Sequence, residues 1–203
     1  AVSTSCNAVA QTGTLIANVS LIDGTGSPAR PAAVRIIGDR IAEVGELTPR
    51  DGDTIIDGRG LVLAPGFIDT HSHHAGNLAE QPDATAVVSQ GVTTIVSGQD
   101  GSSERPLQKF FDSFERPSTA APSVNLASFA GHGTIRSAVM GEDFKRPATP
   151  AEIARMGDLL HEEMKPGALG LSSGLEYDPG IYSKTEELIA LAKIAAQYPG
   201  ARY

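Results

Sequence analysis

Two hydrophobic patterns divide the chain. Up to about residue 64 the apolar positions come in short β-branched runs broken by Gly and Asp. Thr14 to Ile22 is such a run, and it ends at the turn pair Asp23-Gly24. Val34–Ile37 and Ile41–Val44 flank Gly38-Asp39-Arg40, which predicts a hairpin. Thr54–Ile56 and Leu61–Leu63 flank Asp57-Gly58-Arg59-Gly60, which predicts a second tight reversal. Residues 1–64 therefore read as a small antiparallel β domain.

After Pro65-Gly66 the pattern alternates. Phe67–Thr70, Val92–Ser97, Val124–Ala130 and Ala168–Ser172 are short apolar runs without polar alternation, as in strands buried on both faces. Between and after them lie candidate helices at Pro82–Gln90, Arg105–Glu115, Thr149–Lys165 and Thr185–Tyr198. The third opens on Thr149-Pro150-Ala151-Glu152, a capping box with Pro at the first helical position. The last carries Leu188, Leu191, Ala192 and Ala195 on one face. Ala201-Arg202-Tyr203 reads as the opening of a fifth strand. Strands alternating with helices predict a parallel α/β sheet, open or closed into a barrel, over residues 65–203. In either form the functional residues belong at the C-terminal ends of the strands.

Composition narrows the function classes. The 203 residues carry 16 Lys+Arg against 24 Asp+Glu, a formal charge of −8, which argues against binding to a nucleic-acid backbone. No window of about 18 apolar residues occurs, so no helical membrane span is predicted. The single cysteine, Cys6, excludes an internal disulfide and a Cys-rich zinc site; it reads as a free thiol near the terminus. The chain opens Ala-Val-Ser-Thr-Ser-Cys without Met. Removal of a signal peptide would make the protein exported, periplasmic or secreted; otherwise it is cytoplasmic.

The polar residues gather where the parallel-sheet reading places function. The first strand ends in Asp69-Thr70-His71-Ser72-His73-His74. Side chains two apart in extended chain share a face, so His71 and His73 converge as two imidazoles on a metal must, while His74 points elsewhere. The second strand ends in Ser97-Gly98-Gln99-Asp100-Gly101; the glycines let the backbone aim Asp100 into the sheet mouth, or simply form a turn with a solvated Asp. The third ends in Gly131-His132-Gly133, a histidine on an accessible loop that is a ligand, an outer donor or a pocket wall. The fourth ends in Ser172-Ser173-Gly174-Leu175-Glu176-Tyr177, offering a carboxylate and a phenol able to donate to an oxyanion, or a loop on which Tyr177 packs.

In this order, the segments at 64–74, 91–103, 125–136 and 167–196 resemble the N-acyl-D-amino-acid deacylase (D-aminoacylase) branch of the amidohydrolase superfamily. The resemblance implies the N-terminal half of a (β/α)8 TIM barrel of the metal-dependent hydrolase type, preceded by a small β-sandwich domain. It implies zinc, as one or two ions, and cleavage of the amide bond of an N-acyl-D-amino acid, or a related D-amino-acid dipeptide, by metal-activated water. His71 and His73 match the family's first-strand ligands, Tyr177 a tyrosine used against the substrate carbonyl, and Ser172 and Ser173 small residues lining that loop. His132 joins Ser172 and Ser173 as a substrate-side candidate.

The chain departs from the family pattern at two positions. A metal-binding Cys is usual where Asp100 stands, and an aliphatic residue where Glu176 stands. The anionic ligand is therefore expected on oxygen, with Glu176 ranked first as the bridge and Asp100 second; Mn²⁺ or Co²⁺ would also suit such donors. The family's later ligand histidines and its strand-eight Asp have no counterpart among these 203 residues. The missing C-terminal half is thus the expected partner, together with a small-molecule substrate, and residues 1–203 alone are expected to be inactive. A hydantoinase or dihydroorotase-type cyclic amidohydrolase is the rival enzyme; its carboxylated lysine has no match here, since Lys165 and Lys184 lie off the strand end. A non-catalytic half-barrel is the rival from another class.

Overall fold

The computed structural model describes residues 13–115 and 121–203, so Cys6 lies outside the described residues. The chain divides into two units, one ending at Pro65 and the other spanning Gly66–Tyr203.

The first unit is a sheet of β1 (Thr14–Leu21), β2 (Arg30–Ile37), β3 (Arg40–Gly45), β4 (Thr54–Asp57) and β5 (Val62–Leu63). The hairpin expected around Gly38 joins β2 to β3, and Gly38 supplies the positive φ of 59° that so short a reversal needs. The second expected reversal does not form. β4 and β5 both run parallel to β1, pairing with Thr14–Ala17 and Ser20–Leu21 in succession, so the sheet is mixed rather than antiparallel. The cause lies in β1, whose register shifts between Ile16 and Val19 around Asn18 at φ 59°. Opposite that bulge, Asn18 Nδ2 donates to Asp57 Oδ1 (2.9 Å) and Gly58 N–H donates to the Ala17 carbonyl (2.8 Å). The partner strand thus loops out and resumes in the same direction. Among the described residues the unit is a single five-stranded sheet, and Ile41, Ile55, Leu61 and Val62 are exposed.

A buried ion pair ties this sheet to the loop before β4. Arg35, 1% exposed, donates to Asp53 Oδ2 (2.8 Å), Glu43 Oε2 (3.0 Å) and the Thr48 carbonyl (2.8 Å). The Arg35 hydrogen bond, helped by the Arg50 and Gly13 N–H groups, holds the Asp53 carboxyl down at about 2. A depressed carboxyl binds fewer protons folded than unfolded, so its contribution is complete above its ordinary value of 3.8 and lost as pH falls through about 2. Thermal melts of the wild type should therefore drop between pH 4 and pH 2 (roughly this window) more steeply than those of Asp53→Asn; parallel slopes would sink this assignment.

Among the described residues the second unit contains five parallel segments in chain order. β6 (Phe67–Asp69), β7 (Val92–Ser97) and β8 (Asn125–Ser128) form one parallel sheet. β9 (Ala130–Gly131) continues β8 past Phe129 and pairs in parallel with β10 (Leu171–Ser172). Gly170 in turn bridges in parallel to Arg202, where a fifth strand was expected. A sheet that adds each new strand beside the last keeps winding one way, as a barrel wall does; a doubly wound sheet reverses.

Among the described residues five α-helices accompany these strands. They are α1 (Thr85–Val88), α2 (Leu107–Asp112), α3 (His132–Met140), α4 (Pro150–Met164) and α5 (Thr185–Ala195). α4 starts at the capping box: Thr149 Oγ1 accepts from Glu152 N–H (3.3 Å) while Glu152 Oε2 accepts from Thr149 N–H (2.7 Å), and loss of such a cap costs about 1 kcal/mol. α1 and α2 are shorter than their sequence pattern suggests. α3 was not foreseen at all, because Gly131-His132-Gly133 reads as loop. It is stabilised by packing: Ile135 and Met140 bury into one core with Leu107, Ala130, Met156, Leu160, Leu171 and Leu191. A second cluster, Leu78, Ala84, Val87, Ile95 and Val124, lies under β7.

Candidate metal centre

The site begins where β6 ends. Ser72 is buried, and its N–H donates to the Val96 carbonyl (2.9 Å), so the chain after β6 stays registered on β7. Beyond the strand end the chain bends at Thr70 and His71, Ser72 stays buried, and His71 and His73 are both exposed. Asp69 Oδ1 accepts from the His71 N–H (3.2 Å), and the two imidazole centroids lie 5.3 Å apart.

Asp100 completes the cluster. Its Oδ2 lies 3.1 Å from His71 Nε2 and 3.3 Å from His73 Nε2. One donor atom from each of the three residues falls within 4.8 Å of the others, close enough for one cation to take all three. Two imidazole nitrogens and a carboxylate oxygen are a donor set that zinc, manganese and cobalt accept. The turn that presents Asp100 is left-handed at Gly98 (φ 76°), Asp100 (φ 54°) and Gly101 (φ 76°). Gln99 Nε2 ties it to the end of β6 by donating to the Thr70 carbonyl (2.7 Å).

Glu176, expected as the first-ranked bridge, is outside this cluster; the carboxylate beside the two imidazoles is that of Asp100. The reason is the path of the chain after β10. Gly174 passes so close that a Cβ on it would lie 2.1 Å from the Asp100 carbonyl oxygen; the chain then turns, leaving Glu176 exposed beyond it. Glu176→Gln should accordingly leave metal content unchanged, while Asp100→Asn lowers it, as read by elemental analysis after dialysis. Equal losses in the two variants would restore Glu176 to the site.

Tyr177 shares a cleft with two residues of the cluster. It lines a cleft of about 490 Å³ with His73, Asp100, Gly101 and Thr134, and it is 57% exposed. The other substrate-side candidates are otherwise engaged. Ser172 Oγ donates to the Gly98 carbonyl and accepts from the Gly101 N–H (3.2 Å). Ser173 Oγ lies 2.9 Å from the Tyr203 hydroxyl. His132 is not on an accessible loop: it opens α3 with no exposed surface, and its Nε2 lies 2.8 Å from Glu187 Oε1.

That contact belongs to a buried triad. Glu187 on α5 also accepts from Arg136 Nη1 on α3. Burial pushes the Glu187 carboxyl up, but the hydrogen bonds from His132 and Arg136 outweigh it and hold the group below its ordinary value. Sequence reading missed Arg136 and Glu187. Glu187 lies in the first turn of a helix, where an acid usually faces solvent, and no local signal marks it as buried.

Consecutive parallel β/α units, with paired imidazoles at the end of one strand and a carboxylate at the end of the next, are the arrangement of a barrel wall with candidate metal ligands at the C-terminal ends of its strands. The chain belongs to the amidohydrolase family, whose model matches residues 54–200. It is 39% identical to the D-aminoacylase of Alcaligenes xylosoxydans xylosoxydans over 206 aligned residues, covering 92% of this chain and 42% of that protein. It is 38% identical to the N-acyl-D-aspartate deacylase of the same organism, covering 99% and 44%. Among solved structures it superposes on the N-acyl-D-glutamate deacylase of Bordetella bronchiseptica, complexed with zinc and a phosphonate mimic of the tetrahedral intermediate. The TM-score is 0.86 at 33% identity, over 92% of this chain and 43% of that one. The chain thus spans less than half the length of these relatives.

Proposed function

We propose that this chain supplies the first metal-binding strands of a hydrolase that cleaves the amide bond of N-acyl-D-amino acids. The observation that carries this reading is the convergence of His71, His73 and Asp100 at the C-terminal ends of parallel strands, beside a cleft that holds Tyr177. The cleft volume of about 490 Å³ suits a small molecule. The substrates named for the D-aminoacylase and the N-acyl-D-aspartate deacylase favour an acyl-D-amino acid.

A divalent cation, zinc first and manganese or cobalt as substitutes, would be held by His71 Nε2, His73 Nε2 and Asp100 Oδ2, where it supplies Lewis acidity and lowers the pKa of water. Asp100 is the one carboxylate among the three donors, so a single anionic oxygen would face the cation's two positive charges. The Tyr177 phenol donates a hydrogen bond to the amide oxygen as negative charge develops there. Removing such a donor typically costs about 10²–10³ in rate.

The test is hydrolysis by the whole protein, loaded with zinc, of N-acetyl-D- and N-acetyl-L-amino acids and of a cyclic amide. Turnover of the D-series alone is expected, with kcat for Tyr177→Phe lowered by about 10²–10³. Turnover of the cyclic amide alone would sink this reading and favour the hydantoinase type.

A further inference from the structure

We propose that the Ser172 hydroxyl is a positioning group for the metal carboxylate: it staples the Gly98–Gly101 turn from both sides and so fixes Asp100 between His71 and His73. The inference rests on the metal reading of that cluster.

The turn cannot hold its own shape by regular hydrogen bonding. Gly98, Asp100 and Gly101 all take positive φ, so no helix or strand ladder pairs their backbone groups. The Gly98 carbonyl and the Gly101 N–H flank the Gln99-Asp100 pair and face one atom, Ser172 Oγ. A hydroxyl gives and accepts at once, so Ser172 closes both ends of the turn; an alanine closes neither. Among the described residues no other side chain bonds to both sides of Asp100. Ser102 N–H returns to the Gln99 carbonyl (3.1 Å) and Thr134 N–H caps the Gly101 carbonyl (3.1 Å), so the turn is held downstream as well.

Ser172 is itself well anchored. It lies on β10, paired in register with Gly131 of β9. Gly131 and Gly174 bring the neighbouring backbones within contact of the turn: a Cβ on Gly131 would lie 2.5 Å from the Gly101 carbonyl oxygen. β10 therefore sets the height and tilt of the ligand carried on the turn after β7. The hydroxyl is committed to backbone on both sides, so it is a positioning residue and not one that binds substrate.

The test titrates the metal-free full chain with Co²⁺, read by its visible absorption bands, and with Zn²⁺ in competition with a chelator. Ser172→Ala should bind about 10–100-fold more weakly, with altered Co²⁺ bands, the loss typical of removing a group that orients a ligand. Ser172→Thr should recover wild-type affinity and Ser172→Val should not, since the two differ only in the hydroxyl; this pair decides the matter even where the alanine variant does not fold. Thr149→Ala, which weakens α4 without touching the turn, should keep wild-type affinity and so separates positioning from general destabilisation. With Asp100→Asn already present, Ser172→Ala should add nothing. Wild-type affinity in Ser172→Ala or in Ser172→Val overturns the proposal while leaving the metal reading intact. A wild type that binds no better than His71→Ala/His73→Ala overturns both.

Discussion

Replacing His71 and His73 together by alanine should lower zinc affinity by well over the ~10–100-fold seen for outer partners of metal ligands, because two of three donors vanish. Both rings are exposed at the strand ends and carry no core packing, so the fold should survive. The rings lie against each other and Asp100, and the bonds that hold this segment, from Ser72 N–H to the Val96 carbonyl and from His71 N–H to Asp69 Oδ1, do not need the imidazoles. The expected result is an unchanged melting temperature without metal, metal content near zero after dialysis, and no hydrolysis by the whole protein. Each single variant should fall between. Full metal retention in the double variant would place the cation elsewhere.

Breaking the buried triad should act in the opposite way, on stability before chemistry. Arg136 is 0% exposed and Glu187 1% exposed, and Arg136 also donates to the Phe144 and Arg146 carbonyls. Arg136→Met removes the cation and leaves a buried carboxylate facing only His132. Removing one member of such a pair costs about 3–5 kcal/mol, against a total stability of about 5–15 kcal/mol for a typical domain. Urea unfolding should show that loss. The double variant Arg136→Met/Glu187→Leu should lose less than the sum of its singles, because no charge is then left unpaired. Strict additivity would show that the two side chains are not energetically coupled.

Not every element was equally legible. The capping box at Thr149 and the glycine hairpin at Gly38 are local devices, complete within four residues, and both appear where the pattern places them. The parallel order of strands followed from apolar runs alternating with helices. The β4–β5 reversal failed because its direction depended on a bulge at Asn18, some 39 residues from the Asp57 it bonds. α3 escaped notice because its stability comes from the core it buries, and two glycines flanking His132 outweigh it locally.

The sequence by itself determined the class of site. A His-x-His at the end of an apolar strand, followed by strand ends rich in Gly, Asp and Ser, places candidate ligands at one end of a parallel sheet, because side-chain periodicity and strand order are short-range properties. Which carboxylate faces the histidines was decided only in three dimensions. Asp100 and Glu176 are equally plausible as written; what separates them is a backbone approach at Gly174 and a hydroxyl staple from Ser172 to Gly98, 74 residues away in the chain. The fate of His132 was decided the same way: the side chain of Glu187, 55 residues on, reaches it, and the histidine has no exposed surface where the sequence suggests an accessible pocket residue. Contacts across such distances depend on how helices and strands stack, and nothing within a local window of residues encodes them.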